Sequence, residues 1–114
     1  MPRWLPRVLA RIHRLAAEGK VRLTAKAAEE LKASELGLDE RDASNVVHGL
    51  RAQESAGRVF SNETSEWLYV FKPWILGTVL YVKLVLRAHC VVVSFHKEQA
   101  NEDEDSEAPS GRAT

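Results

Sequence analysis

The 114-residue chain predicts an α+β fold in which N-terminal helices pack on a mostly antiparallel four-stranded sheet. Two observations carry that prediction. Apolar side chains recur at i, i+3, i+4 and i+7 through residues 5–50, and after Gly57 the period shortens to two. A third is that the later segments follow one another closely, which favours an antiparallel meander over parallel crossovers. The length suits one compact domain and is too short for two ordinary ones, so residues 1–98 are expected to form a single unit.

The first helix is marked by Leu5, Val8, Leu9, Ile12, Leu15 and Ala16, with Pro6 tolerated in its first turn and Gly19 as its stop. Arg7, Arg11 and Arg14 share another side of it. Such a stripe could meet RNA phosphates or an acidic partner, but a solvated helix face is the commoner case. Thr24 caps a second helix whose small apolar face is Ala27, Ala28 and Leu31, ending near Gly37. Asp39 caps a third, with Asp42 in its first turn and Ala43, Val46, Val47 and Leu50 on its apolar side. Gly49 weakens that helix or ends it.

Arg58 to Ser61 and Trp67 to Phe71 read as short strands around a polar turn, and Pro73 ends the second. Trp74 to Gly77 then link to two longer strands, Val79 to Arg87 and His89 to Lys97. In the former, Leu80, Val82, Leu84 and Leu86 fall on one face, with Tyr81, Lys83 and Arg87 on the other. Trp67, Tyr69 and Phe71 also share a face; that spacing suits base stacking but more often builds a core. Residues 99–114 are acidic and nearly free of apolar side chains, which predicts a disordered tail.

Charge sharpens the division. The chain holds 16 acids and 16 bases, but five acids and one base lie in residues 101–114, leaving 11 acids and 15 bases and a net +4 for residues 1–100. A mildly basic body with an acidic tail is compatible with an RNA partner without requiring one. The single cysteine, Cys90, excludes an intramolecular disulfide and a zinc cluster, and it lies in an apolar run that suits a buried thiol. No apolar run reaches membrane-spanning length and no signal-peptide core precedes the first helix, so a cytoplasmic protein without a membrane partner is expected.

The residues that could carry chemistry gather at the C-terminal strands. RNA can be cut without a metal when its own 2′-hydroxyl attacks the adjacent phosphorus. A base then takes the hydroxyl proton, an acid protects the leaving 5′-oxygen, and cations stabilise the developing charge. His96 is the candidate base or acid, and Tyr81 the donor or proton source. Lys83, Arg58, Lys72 and Arg87 are candidate charge stabilisers. Lys83 and Arg87 are roughly 13 Å apart along a strand, so they cannot both touch one phosphate, and Lys83 is the nearer to Tyr81. His13, His48 and His89 are lone histidines and read as structural or solvated.

The ordered set of short motifs resembles one family. Gly19-Lys20-Val21-Arg22-Leu23-Thr24, Glu35-Leu36-Gly37-Leu38-Asp39 and Asn45-Val46-Val47-His48-Gly49-Leu50 look like the N-terminal half of the MqsR family of bacterial toxins. Trp67, Lys72-Pro73, Gly77, Leu80-Tyr81-Val82-Lys83 and Val92-Val93-Ser94-Phe95 look like its C-terminal half. The resemblance spans about residues 8–98. It implies a RelE-like fold and the toxin of a type II toxin–antitoxin pair. It further implies a metal-independent, cofactor-free endoribonuclease that cuts messenger RNA, held inactive by an MqsA-type, DNA-binding antitoxin.

The family's catalytic set carries over in part. Its tyrosine matches Tyr81, and its lysine after Ser-Phe is replaced by His96, followed by Lys97. Its glutamine after the tryptophan is Leu68, and its lysine in a Phe-Tyr-Lys-Ser segment falls near Arg58. Arginine keeps the charge and adds a planar fork, while histidine has a pKa better suited to proton transfer. Taken together with the strand-face reading, the expected site is Tyr81, His96, Lys83 and Arg58, with Lys72, Arg87 and Lys97 as RNA contacts. Leu68 and His96 also leave open a catalytically inactive RNA- or antitoxin-binding module of the same fold. A DNA-binding regulator is a third reading, weakened because no helix carries a basic, base-reading face.

Overall fold

The computed structural model describes residues 1–99. Three helices, α1 (Leu5–Ala17), α2 (Ala25–Ala33) and α3 (Glu40–His48), accompany six strands. These are β1 (Val21–Leu23), β2 (Ser55–Ser61), β3 (Glu66–Phe71), β4 (Trp74–Ile75), β5 (Thr78–Leu86) and β6 (Cys90–Lys97). The main sheet runs β1-β6-β5-β3-β2, and β4 pairs with β5 beside it. The α+β class is as expected, with two strands more than the four expected. β1 and β4 have three and two residues, too short to display a period of two. β1 is also the one parallel neighbour, lying along β6 with Val21 opposite Cys90. The expected acidic tail lies, Gln99 apart, outside the described residues.

The caps follow the local chemistry. Thr24 accepts from the Ala27 N–H, and Asp39 and Asp42 form a reciprocal capping box at α3. α2 stops at Ala33 rather than near Gly37, and Gly49 is the C-cap of α3 rather than an interior residue. The turn between β4 and β5 is the two-residue pair Leu76-Gly77, with φ of 53° and 76°. Two successive positive φ values give the hairpin twist that matches its strands, and Gly77 adopts the conformation without the steric cost that Leu76 bears.

All three helices contribute to a core on one face of the sheet. Ile12 and Leu15 of α1, Ala27 and Leu31 of α2, and Ala43 and Val47 of α3 meet Phe71, Leu80, Val82, Leu84, Cys90, Val92 and Phe95. The opposite face carries no helix core, and Val70 and Val85 are buried there among neighbouring side chains.

Candidate active site

Strand register places the candidate residues. In β5, Leu80, Val82 and Leu84 enter the core, so Tyr81 and Lys83 point away from it. In β6, Cys90 and Val92 also enter the core, and strict alternation would send Ser94 and His96 after them. The register prevents this. Lys83 stands opposite Ser94 but Leu84 opposite Val92, so Val93 is an extra residue, a β-bulge. The bulge shifts the phase by one. Phe95 drops into the core opposite Val82, and His96 comes beside Tyr81.

Tyr81 and His96 are stacked with ring centroids 5.2 Å apart and planes 14° from parallel. Lys83 Nζ lies 5.8 Å from the Tyr81 ring centroid. His96 Nδ1 donates to the Lys97 carbonyl at 2.7 Å. A carbonyl only accepts, so in the neutral ring the basic lone pair resides on Nε2. A phenol, an imidazole and an ammonium thus share one half-buried region of the helix-free face.

Helix α2 holds this segment of β6 from the side. Past Val92 the strand has no β1 neighbour, and the Phe95 N–H donates instead to Glu30 Oε1 at 2.9 Å. Lys26 Nζ pairs with Glu30 Oε2 at 2.9 Å and donates to Ser94 Oγ at 2.9 Å. Burial opposes ionisation of Glu30, but the hydrogen bonds from Lys26 and Phe95, with the charges of Lys26 and His96, hold its carboxyl below the ordinary value. Sequence reasoning missed Glu30, Lys26 and Ser94. The i,i+4 spacing of Lys26 and Glu30 is legible, but their reach to a strand 65 residues away is not.

The remaining candidates are dispersed. Arg58 pairs in register with Tyr69, which faces Leu84, and therefore lies on the helix face, away from Tyr81. Its guanidinium sits 3.8 Å from the Trp67 ring centroid and 4.9 Å from that of Trp4. Lys72 is ion-paired to Glu98 at 2.6 Å. Arg87, just past the end of β5 and six residues from Tyr81, makes a two-pronged pair with Glu66, both contacts 2.8 Å. That hydrogen-bonded arginine holds the Glu66 carboxyl at about 2. Lys97 is exposed on the other face from His96, in register with Leu80. Leu68 shares the face of Tyr81, opposite Val85.

Of the other histidines, His13 Nε2 donates to the Leu50 carbonyl at 2.6 Å and ties α1 to the end of α3, whereas His48 is exposed. Among the aromatic stripe, Phe71 is core, Tyr69 is half-buried and Trp67 is exposed. Burial pushes the Cys90 thiol up to about 12, as a structural cysteine requires. Among the described residues no three His, Cys, Asp or Glu side chains gather where a metal ion could be shared, and no helix is long and apolar enough to cross a membrane.

A protein-family model described as "Motility quorum-sensing regulator, toxin of MqsA" matches residues 7–97. The chain belongs to the MqsR toxin family. This makes it a toxin of a toxin–antitoxin system, with an antitoxin as its implied partner, MqsA in the family's description. No curated protein matches the chain. The matched span of this MqsR-family toxin contains every candidate residue and stops at the end of β6.

Proposed function

We propose that this MqsR-family toxin is a metal-independent endoribonuclease that cuts messenger RNA in single-stranded regions and so arrests translation and growth. The observation that carries the reading is the Tyr81–His96 stack beside Lys83 on the helix-free face. His96 Nε2 takes the proton of a ribose 2′-hydroxyl, whose oxygen attacks the adjacent phosphorus. Lys83 stabilises the charge gathering on the phosphoryl oxygens, and Tyr81 supplies a proton to the departing 5′-oxygen. The products are a 2′,3′-cyclic phosphate and a 5′-hydroxyl. Arg58 has no part in this step, because it stands on the opposite face of the sheet. An MqsA-like, DNA-binding antitoxin is the proposed partner, and the cytoplasm the proposed site of action.

The test is cleavage of single-stranded RNA by purified protein in EDTA. His96→Ala and Tyr81→Phe should each lower the rate roughly 10²- to 10⁴-fold, the usual contribution of a positioned acid or base. Full activity in both variants defeats the mechanism. One observation supports a second reading, an inactive RNA- or antitoxin-binding module. Leu68 stands half-buried on the same face as Tyr81 and offers no polar group. Binding without cleavage, and no growth arrest on induction, would select it.

A further inference from the structure

On the other side of the sheet, an open groove of about 900 Å³ runs between α1 and strands β2 and β3. Five arginines line it, Arg3, Arg7, Arg11, Arg14 and Arg58, together with Trp4, Trp67 and Tyr69. Arg7, Arg11 and Arg14 are spaced four and three residues apart, so they climb one side of α1 over roughly 10 Å at the helical rise, and Arg3 lies just before the helix. Arg3, Arg7 and Arg14 are exposed and have no ion-pair partner among the described residues. Glu66, a carboxylate at the rim, is already clamped by Arg87, which leaves the groove strongly positive.

On the strand side Trp67 and Tyr69 line the groove, while Trp4 stands at the N-cap of α1 beside the arginines. Arg58 lies against both Trp4 and Trp67, and Trp67 meets Phe60 edge-on with centroids 5.1 Å apart. Trp4 and Tyr69 pack at 5.4 Å. Phe60 and Trp67 remain 43% and 39% exposed, an unusual outlay of aromatic surface for a position that packing alone would bury. A row of cations beside partly exposed aromatic rings is the arrangement that holds single-stranded nucleic acid without reading its sequence. An acidic polypeptide would answer the arginines but would leave the aromatic faces unused.

We propose that this groove is a second RNA-binding surface, which holds the flank of a single-stranded RNA while another part of the same strand occupies the Tyr81–His96 face. The proposal deepens the ribonuclease reading and rests on it for the identity of the ligand. Arg58 and Tyr81 are separated by two strand spacings and three residues along β5, roughly 14 Å in the plane of the sheet, and lie on opposite faces. β2 is the free edge of the sheet, so the strand passes over β2 from one face to the other. Only an RNA of several nucleotides can engage both surfaces. Grip on the groove therefore governs long substrates and leaves the shortest ones unaffected.

The experiment uses the full chain and an oligouridine of about 12 nucleotides, within the 4–16-nucleotide range of such grooves. Its 2′-fluoro ribose lacks the attacking hydroxyl, so binding is read independently of cleavage. Arg7→Gln with Arg14→Gln should weaken binding about tenfold at low salt. It should also flatten the slope of log affinity against log salt by about 1.4, two phosphate contacts' worth. Trp67→Ala should weaken binding about tenfold with the slope unchanged, as loss of stacking requires. The arginine double variant should keep the parental rate on trinucleotides and lose it on long RNA at limiting substrate. Unchanged affinity and slope in the double variant overturn the groove, whether or not the chain cuts RNA. Weakened binding in a chain that cuts no RNA leaves the groove standing and removes the ribonuclease reading. If the double variant loses its antitoxin and keeps its RNA affinity, the groove belongs to a protein partner and the proposal fails.

Discussion

Glu30 should be a joint whose removal loosens the strand that carries His96. Its carboxylate accepts the Phe95 N–H and pairs with Lys26, and Phe95 is fully buried. Glu30→Ala leaves a partly buried backbone donor without a partner, which costs about 1–3 kcal/mol. For a domain of this size each kcal/mol shifts the melting midpoint by roughly 4–8 °C, so a fall of about 8–16 °C is expected for the middle of that range. Glu30→Gln keeps an acceptor and loses the charge, so its fall should be about half as large. The two variants also separate the charge from the hydrogen bond through pH. The folded carboxyl is held below its ordinary value of 4.5, so its stabilising effect is complete above that value. It is lost as pH falls through the lowered folded value. The gap between parent and Glu30→Gln should therefore be full near neutrality and close progressively below pH 4.5, in melts monitored by circular dichroism. A Glu30→Ala protein within about 0.5 kcal/mol of the parent at pH 7 would refute the reasoning, since it would mean that another group satisfies the Phe95 N–H.

Three further outcomes follow from the packing. Phe95→Ala, at a fully buried position opposite Val82, should cost about 3–5 kcal/mol in denaturant titration and displace the bulge that orients His96. Leu76→Asn should raise stability by roughly 0.5–1 kcal/mol, because Leu76 is exposed, so little burial is lost, and its φ of 53° suits asparagine better. Cys90, whose thiol is pushed up to about 12, should resist alkylation at pH 8 in the folded protein and react once the chain is unfolded, as read by mass spectrometry.

The sequence's legible parts were those governed by neighbours along the chain. Thr24 and Asp39 as caps, the apolar stripe from Leu5 to Leu15, and the alternation of Leu80, Val82 and Leu84 against Tyr81 and Lys83 depend on spacing alone, and the structure has them as read. The order of motifs is by itself enough to suggest the MqsR family. β1 and β4 escaped because two or three residues carry no period, and because β1 is a strand only by virtue of lying along β6.

The site divides along the same line. That Tyr81 and Lys83 share a face follows from a period of two and is settled within one strand. That His96 joins them is decided by the bulge at Val93, which only pairing with β5 reveals; without it the same residues would point His96 inward and Phe95 outward. That Arg58 stands apart from them follows from the register of three strands, which no local pattern encodes. Arg7, Arg11 and Arg14 of α1 and the Trp67, Tyr69 and Phe71 stripe were visible separately, and only the packing of α1 against the sheet brings the arginines, Trp67 and Tyr69 to one groove. Local spacing determines which face a side chain takes within its own element, because covalent geometry sets it. Which faces meet is decided by burial and hydrogen bonding across the whole chain.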